Sequence, residues 1–225
     1  MFSVDVEKEM KRYYQKMYNK EIEIKDVIQM LQKLKDSDDP HDQDVFACMI
    51  HSLLDEYRFF AEYPVDALAT TSVLFGNTIY FRLIEGPTLS IALRYILQSA
   101  REPPQSKMFK FAIQALFSFM KRLGEFPKFC SMLCQIPSLQ SQPQLFEACQ
   151  DSASGKTVSV GANDKSPAKE EDVKSDVVQS KFVSINAVDI GDDFPDQSTP
   201  PSEISDRILF MVNNIADSNI DARGD

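Results

Sequence analysis

Along the first 150 residues, apolar positions recur at the three- and four-residue spacing of a buried helix face. Val6, Met10, Tyr13, Tyr14, Met17 and Tyr18 form the first stripe, and Ile24, Val27, Ile28, Leu31 and Leu34 the second. Side chains at that spacing share one side of a helix, so each stripe predicts an amphipathic helix. The third helix is announced by Asp39-Pro40. The carboxylate can accept from the free N–H groups of a first turn, and the proline ring presets a helical φ. Its stripe is Val45, Phe46, Met49, Ile50, Leu53, Leu54 and Tyr57. Tyr63-Pro64 breaks the chain, because the residue before proline is pushed out of the helical region. A fourth helix is predicted to about Ile84, and Gly86-Pro87 separates it from a fifth ending near Arg101. Ser106 is placed to cap a sixth, through Phe109, Ile113, Leu116, Phe117 and Met120. Two shorter helices are predicted around Phe129–Gln135 and Leu139–Cys149.

No segment alternates strictly between apolar and polar, so no sheet is predicted. Short connections pack neighbouring helices antiparallel. Eight helices punctuated by proline predict an all-α, HEAT-like stack of antiparallel helix pairs. No sequence motif repeats at a fixed period, so the repeat is one of structure only. A compact helical bundle is the alternative.

After residue 150 the pattern stops. Residues 151–201 are Ser, Asp, Lys, Val, Gly and Pro without periodicity. Such a segment buries too little apolar surface to offset its ordering entropy, and it reads as a disordered acidic linker. Ser166-Pro167 and Thr199-Pro200 are phosphorylation candidates of the kind common in linkers. Residues 202–225 open a last stripe, Ile204, Ile208, Leu209, Phe210, Val212 and Ile215, with Ser202 as its N-cap. Its apolar face either docks back on the first domain or belongs to the opening helix of a further domain that is incomplete here. Twenty of the 23 aromatic residues precede this tail.

The charge divides in the same way. Residues 151–225 carry 15 acidic and 7 basic residues of the chain's 34 and 24, so most of the net charge of −10 belongs to the tail. The nearly balanced first part argues against a nucleic-acid surface, which needs a basic excess. No apolar run is long enough to span a bilayer, and the start MFSVDVEKEMKRYY lacks the apolar stretch of a secretory signal. Four Cys do not make a disulfide scaffold, and they fit a reducing compartment.

Catalytic and metal constellations are missing from the pattern. His41 falls in a charged first turn and His51 on a helix flank. Cys130 and Cys134 share a helix face but lack the spacing of a zinc site, and they read as buried thiols. Asp38-Asp39 serves helix capping, and Asp55-Glu56 lies on a helix flank where Arg58 can pair with it. Gly76, Gly86 and Gly124 build no phosphate loop. No catalytic, cofactor-binding or metal residue is assigned, and the expectation is a protein that is not an enzyme.

What remains is surface. Val6, Met10, Tyr13 and Met17 can fill the roughly 100° stripe that a helix normally hides. Tyr14 and Tyr18 would then share a ridge at its border, and Tyr63 sits at a helix–helix corner. Aromatics in such places often line grooves for peptide helices. The competing reading makes them core residues with the hydroxyl at the surface. Lys11, Arg12, Lys16 and Lys20 could form a basic face for RNA, or simply the solvated side of the first helix.

Four segments together resemble a known family: DVIQMLQKLKDS, VFACMIHSLLDEYRFFAEYP, LFGNTIYFRLIEGPTLSIALRYIL and SKMFKFAIQALFSFMKRLGEFPKFC. They are similar to the tristetraprolin-binding helical domain of the largest, scaffold subunit of CCR–NOT deadenylase complexes, over about residues 2–149. PPSEISDRILFMVNNIADSNI resembles the start of the next scaffold domain, so deadenylase docking is not expected from this chain alone.

The resemblance implies HEAT-like repeats, no catalytic activity and no cofactor. It implies that the domain binds short amphipathic helices of RNA-binding adaptor proteins, beside the other CCR–NOT subunits met by the full-length scaffold. It thereby implies roles in mRNA deadenylation, decay and translational repression, in the cytoplasm and also in the nucleus. Neither direct nucleic-acid binding nor a membrane is implied, and the domain is expected to be monomeric. The family's groove aromatics fall on Tyr14, Tyr18 and Tyr63, with Met17 beside them. Position 14 is Tyr where animal members have Phe, and the loop after Asn19 is shorter.

Three rings that each lost about 70–100 Å² on binding would contribute roughly 5–7 kcal/mol at about 25 cal/mol per Å². Association costs of about 4–15 kcal/mol offset much of that. A micromolar interaction, about −8 kcal/mol, is therefore the expected scale. On this groove reading, Tyr14→Asp with Tyr18→Asp abolishes binding and leaves the helices intact. The rival function is a helical-repeat protein that binds RNA directly through a basic face.

Overall fold

In a computed structural model, residues 2–155 are described, and among them every regular element is helical. The α-helices are α1 (Val4–Tyr18), α2 (Ile24–Lys35), α3 (Pro40–Asp55), α4 (Val65–Tyr80), α5 (Gly86–Ala100), α6 (Lys107–Phe119), α7 (Pro127–Cys134) and α8 (Pro143–Ala153). Three 3-10 segments join them, Glu56–Glu62, Met120–Glu125 and Pro137–Ser141. The linker and last helix expected at 151–201 and 202–225 lie almost wholly outside the described residues.

The local signals act as the sequence suggests. Asp39 accepts from the His41 N–H at 2.9 Å with Pro40 at the first helical position, and Ser106 accepts from the Phe109 N–H at 3.1 Å. Ser3 caps α1, and Glu23 with Asp26 forms a reciprocal capping pair on α2. Both arrangements satisfy first-turn N–H groups that no helix can satisfy by itself.

Three boundaries differ from expectation. Tyr57 lies past the end of α3, because the chain tightens to 3-10 geometry at Glu56. α4 stops at Tyr80 and not near Ile84, in a turn with Arg82 at φ 55°. The last helix starts at Pro143, after a separate 3-10 segment, and runs to Ala153. It continues past residue 150 because Cys149 and Ser152 are buried, and the Ser152 hydroxyl donates to the Leu123 carbonyl at 2.8 Å.

The helices stack in two layers. In one, α2 packs on α4 and α4 on α6; in the other, α1 packs on α3 and α5 on α7. The closest approach is α4 against α6. A Cβ added to Gly76 would lie 2.4 Å from the Ala115 carbonyl oxygen and 2.6 Å from the Ser118 Cβ, so the missing side chain lets the helices meet. Between the layers runs a continuous core, with Phe60, Phe75 and Phe111 meeting edge to face at its centre.

The end of α4 has a cap from far along the chain. Arg122 donates to the carbonyls of Ile79 and Tyr80, and Glu125 holds its guanidinium at 2.7 and 2.8 Å. This adds a charged donor to the last-turn carbonyls, of which that of Ile79 also accepts from the Arg82 N–H at 3.1 Å, and the adjacent carboxylate keeps the arginine firmly charged.

Candidate functional site

Tyr14, Met17 and Tyr18 leave α1 at spacings of three and four residues, and all three turn inward. Their exposures are 1%, 2% and 9%, and that of Tyr63 is 0%. The Tyr14 hydroxyl donates to the Met49 carbonyl of α3 at 2.8 Å. The Tyr18 hydroxyl shares a hydrogen bond with Thr71 Oγ1 of α4 at 2.8 Å. The two rings stack with centroids 6.4 Å apart. The Tyr63 hydroxyl donates to Glu56 Oε2 at 2.9 Å, and its carbonyl accepts from Lys107 Nζ. Burial raises all three phenols above their ordinary range, chiefly by desolvating the phenolate.

The four residues therefore come together, but as a closed seam between α1, α3, α4 and the 3-10 segment. They are not an exposed aromatic border, which corrects the expectation drawn from the helix stripe. A tyrosine can be wholly buried when its hydroxyl finds an internal acceptor. Here each acceptor or partner belongs to another element, which a stripe on α1 cannot reveal.

Sequence reasoning missed Glu56 as a member of this seam. Asp55 does lie on the solvated flank and meets Arg58 at 2.9 Å, as expected. Glu56 is 4% exposed, and desolvation raises its carboxyl despite the hydrogen bond from Tyr63. The signal was the pair of adjacent acids at a helix end, where one turn of the chain separates solvent from core.

A second feature is open. α3 and α5 stand apart, leaving a groove of about 500 Å³ between them. Phe46, Ile50 and Leu54 form its α3 wall, Ile91 and Tyr95 its α5 wall, and Leu83 and Ile84 its end. Tyr57 stacks on Tyr95 with centroids 4.0 Å apart and donates to the Tyr95 carbonyl at 3.2 Å, so the 3-10 segment ties the walls together.

The remaining candidates settle into ordinary roles. His41 is exposed and meets Glu9 at 3.1 Å; this bond raises the imidazole and lowers the carboxyl. His51 is exposed on its helix flank, edge-on to Phe2. Cys130 is buried, with its thiol directed to the Leu123 carbonyl, and Cys134 is half-buried. Arg12 is tied to Glu9 at 3.3 Å, Lys16 lies on the solvated side of α1, and Lys20 is exposed in the turn that follows it. Among the described residues, no group of three or more His, Cys, Asp or Glu could hold a metal ion, and no helix is long and apolar enough to cross a membrane.

Residues 1–159 match the family model described as the CCR4-NOT transcription complex subunit 1 TTP binding domain. The chain belongs to this family. It is 41% identical over 222 residues to the General negative regulator of transcription subunit 1 of Saccharomyces cerevisiae, covering 98% of this chain and 10% of that protein. The protein of the same name from Schizosaccharomyces pombe is 37% identical over 232 residues, covering 99% and 11%. The solved N-terminal domain of the yeast Not1 superposes with a TM-score of 0.66 at 51% identity, over 68% of this chain and 29% of that one. The chain thus spans about a tenth of these full-length relatives. The all-helical stack, the TTP-binding domain and membership among CCR4-NOT scaffold subunits agree with one another.

Proposed function

We propose that this chain is the adaptor-docking module of a CCR4-NOT scaffold. It takes short amphipathic helices of RNA-binding proteins related to tristetraprolin, and so brings bound mRNAs to deadenylation, decay and translational repression. The observation that carries this reading is the match of residues 1–159 to a TTP-binding domain. The module acts by binding and not by catalysis.

The seat is the seam of Tyr14, Met17, Tyr18 and Tyr63. Tyr18 is its least covered member, at 9% exposure, and Glu56 is the buried charge beside it. The phenols shape an apolar floor from beneath, and the desolvated carboxylate offers an acceptor to a basic or amide side chain of the incoming helix. A buried acceptor gains more from a charged donor than an exposed one does, because water competes less.

The test uses the full chain and a labelled amphipathic peptide from a tristetraprolin-type adaptor. Tyr18→Phe and Glu56→Gln keep ring size and carbonyl geometry, so the helices should keep their circular dichroism. Micromolar binding to the parent, weakened about fivefold or more by either variant, is the expected result. Equal binding by parent and both variants would move the seat elsewhere, and no binding to the parent would refute the function.

A further inference from the structure

Near the end of the described residues, side chains from two helices converge on one carbonyl. α8 packs against α7 and against the 3-10 segment Met120–Glu125. From α7, the Cys130 thiol is directed to the Leu123 carbonyl at 3.5 Å, and from α8 the Ser152 hydroxyl donates to the same oxygen at 2.8 Å. Cys149 stands one turn before Ser152 on α8, and its thiol donates to the Cys130 sulfur. Both sulfurs are sealed from water, each residue at 0% exposure. The adaptor seam, built by α1, α3, α4 and the segment after α3, uses neither of them.

The two sulfurs are not equivalent. The bond from Cys149, helped by the Ser152 hydroxyl, outweighs burial and holds the Cys130 thiol below its ordinary range. The same bond, with burial, pushes the Cys149 thiol up, so Cys149 is the one that keeps its proton. The thiolate is the reactive form of cysteine, which makes Cys130 the nucleophile and Cys149 the thiol that resolves it. Cys134, one turn further along α7, is half-buried, and desolvation raises its thiol, so it is the weaker nucleophile.

We propose that Cys130 and Cys149 form a reversible oxidation site, at which a small hydroperoxide converts the two thiols to a disulfide between α7 and α8. The Cys130 sulfur attacks a peroxide oxygen; an S–O bond forms, the O–O bond breaks, and the first water leaves with one proton. The Cys149 sulfur then attacks the resulting sulfenic acid; the S–S bond forms, the S–O bond breaks, and a second water carries off the remaining proton. The sulfurs lose two electrons and the peroxide gains them. An external dithiol restores the pair by exchange. In a reducing compartment the resting form is the dithiol, and the bridge is a transient state. Because both sulfurs are buried, the oxidant is small: hydrogen peroxide qualifies, and oxidised glutathione is too bulky.

The test treats the full chain with hydrogen peroxide under native conditions, blocks the remaining thiols by alkylation and maps the cysteine peptides by mass. A Cys130–Cys149 bridge, lighter than the parent by two hydrogens, should form at least about tenfold faster than any change at Cys48, which is buried in α3. Dithiothreitol should reverse it, and oxidised glutathione should be slower than peroxide. Cys149→Ser should replace the bridge by a gain of oxygen on Cys130, and Cys134→Ser should leave both the bridge and its rate unchanged. Circular dichroism shows which variants are folded, and the peptide map of the parent decides the matter if Cys149→Ser is not.

A bridge from Cys130 to Cys134 overturns the proposal, as does a bridge between two chains. So does loss of Cys48 and the other thiols at one common rate, or a bridge that forms only after urea has unfolded the chain.

Discussion

At the scale of single residues, the tyrosine seam shows how side-chain chemistry decides between surface and core. Tyr14 and Tyr18 are buried because Met49 and Thr71 supply partners for their hydroxyls. Carboxylates at those positions would be sealed away from water. Tyr14→Asp with Tyr18→Asp should therefore unfold the domain. Each buried unpaired charge costs about 3 kcal/mol or more, against a total stability of about 5–15 kcal/mol. Loss of helical circular dichroism at 25 °C checks this, and retention of the fold would show that the seam opens readily.

Glu56 makes a second prediction, with a definite sign. Its folded carboxyl is raised by desolvation, so the protonated form is the one the fold prefers. The stability it contributes is complete below the ordinary carboxyl range and is lost as pH rises through the raised folded value. Glu56→Gln keeps an acceptor for Tyr63 and removes the titration. In urea unfolding, the variant should be at least as stable as the parent at pH 7, and that advantage should shrink or reverse near pH 4.

At the scale of elements, Gly76 controls how closely α4 and α6 pack. Alanine is a better helix former by about 1 kcal/mol, yet its Cβ would fall against the Ala115 carbonyl, which belongs to backbone and cannot swing aside. Gly76→Ala should cost about 1–3 kcal/mol net, read from the denaturation midpoint. Gly124→Ala, where nothing lies within 4 Å, should stay within about 0.5 kcal/mol.

Helix starts were legible because capping is local: Asp39 and Ser106 lie within three residues of the groups they satisfy. The end of α4 was not, because Arg122 reaches it from more than forty residues away. The 3-10 segment after α3 was equally hidden, since Tyr57 continues the apolar stripe while the backbone beneath it tightens.

At the scale of the whole molecule, the stacked helical architecture followed from stripe spacing and short connections alone. The layer order did not, because it depends on which faces meet across the core. The residues of the proposed seat could be picked out in the sequence, and their inward-facing geometry could not. The resemblance named Tyr14, Tyr18 and Tyr63, the helix stripe added Met17, and all four are buried. Only the folded structure places Glu56 among them, and only it shows the groove between α3 and α5, whose walls come from stripes that looked fully committed to the core.

That open groove has a mechanical meaning. The layer of α2, α4 and α6 is continuous, and its tightest joint is the glycine contact at Gly76. The opposite layer is interrupted between α3 and α5. A beam with one flange whole and the other notched bends at the notch. Among the described residues, bending would therefore concentrate between α3 and α5, with α4 and α6 as the leaf of the hinge. Whatever narrows the gap between α3 and α5 would stiffen the stack at that joint, and whatever widens it would let the two halves of the stack swing about α4 and α6.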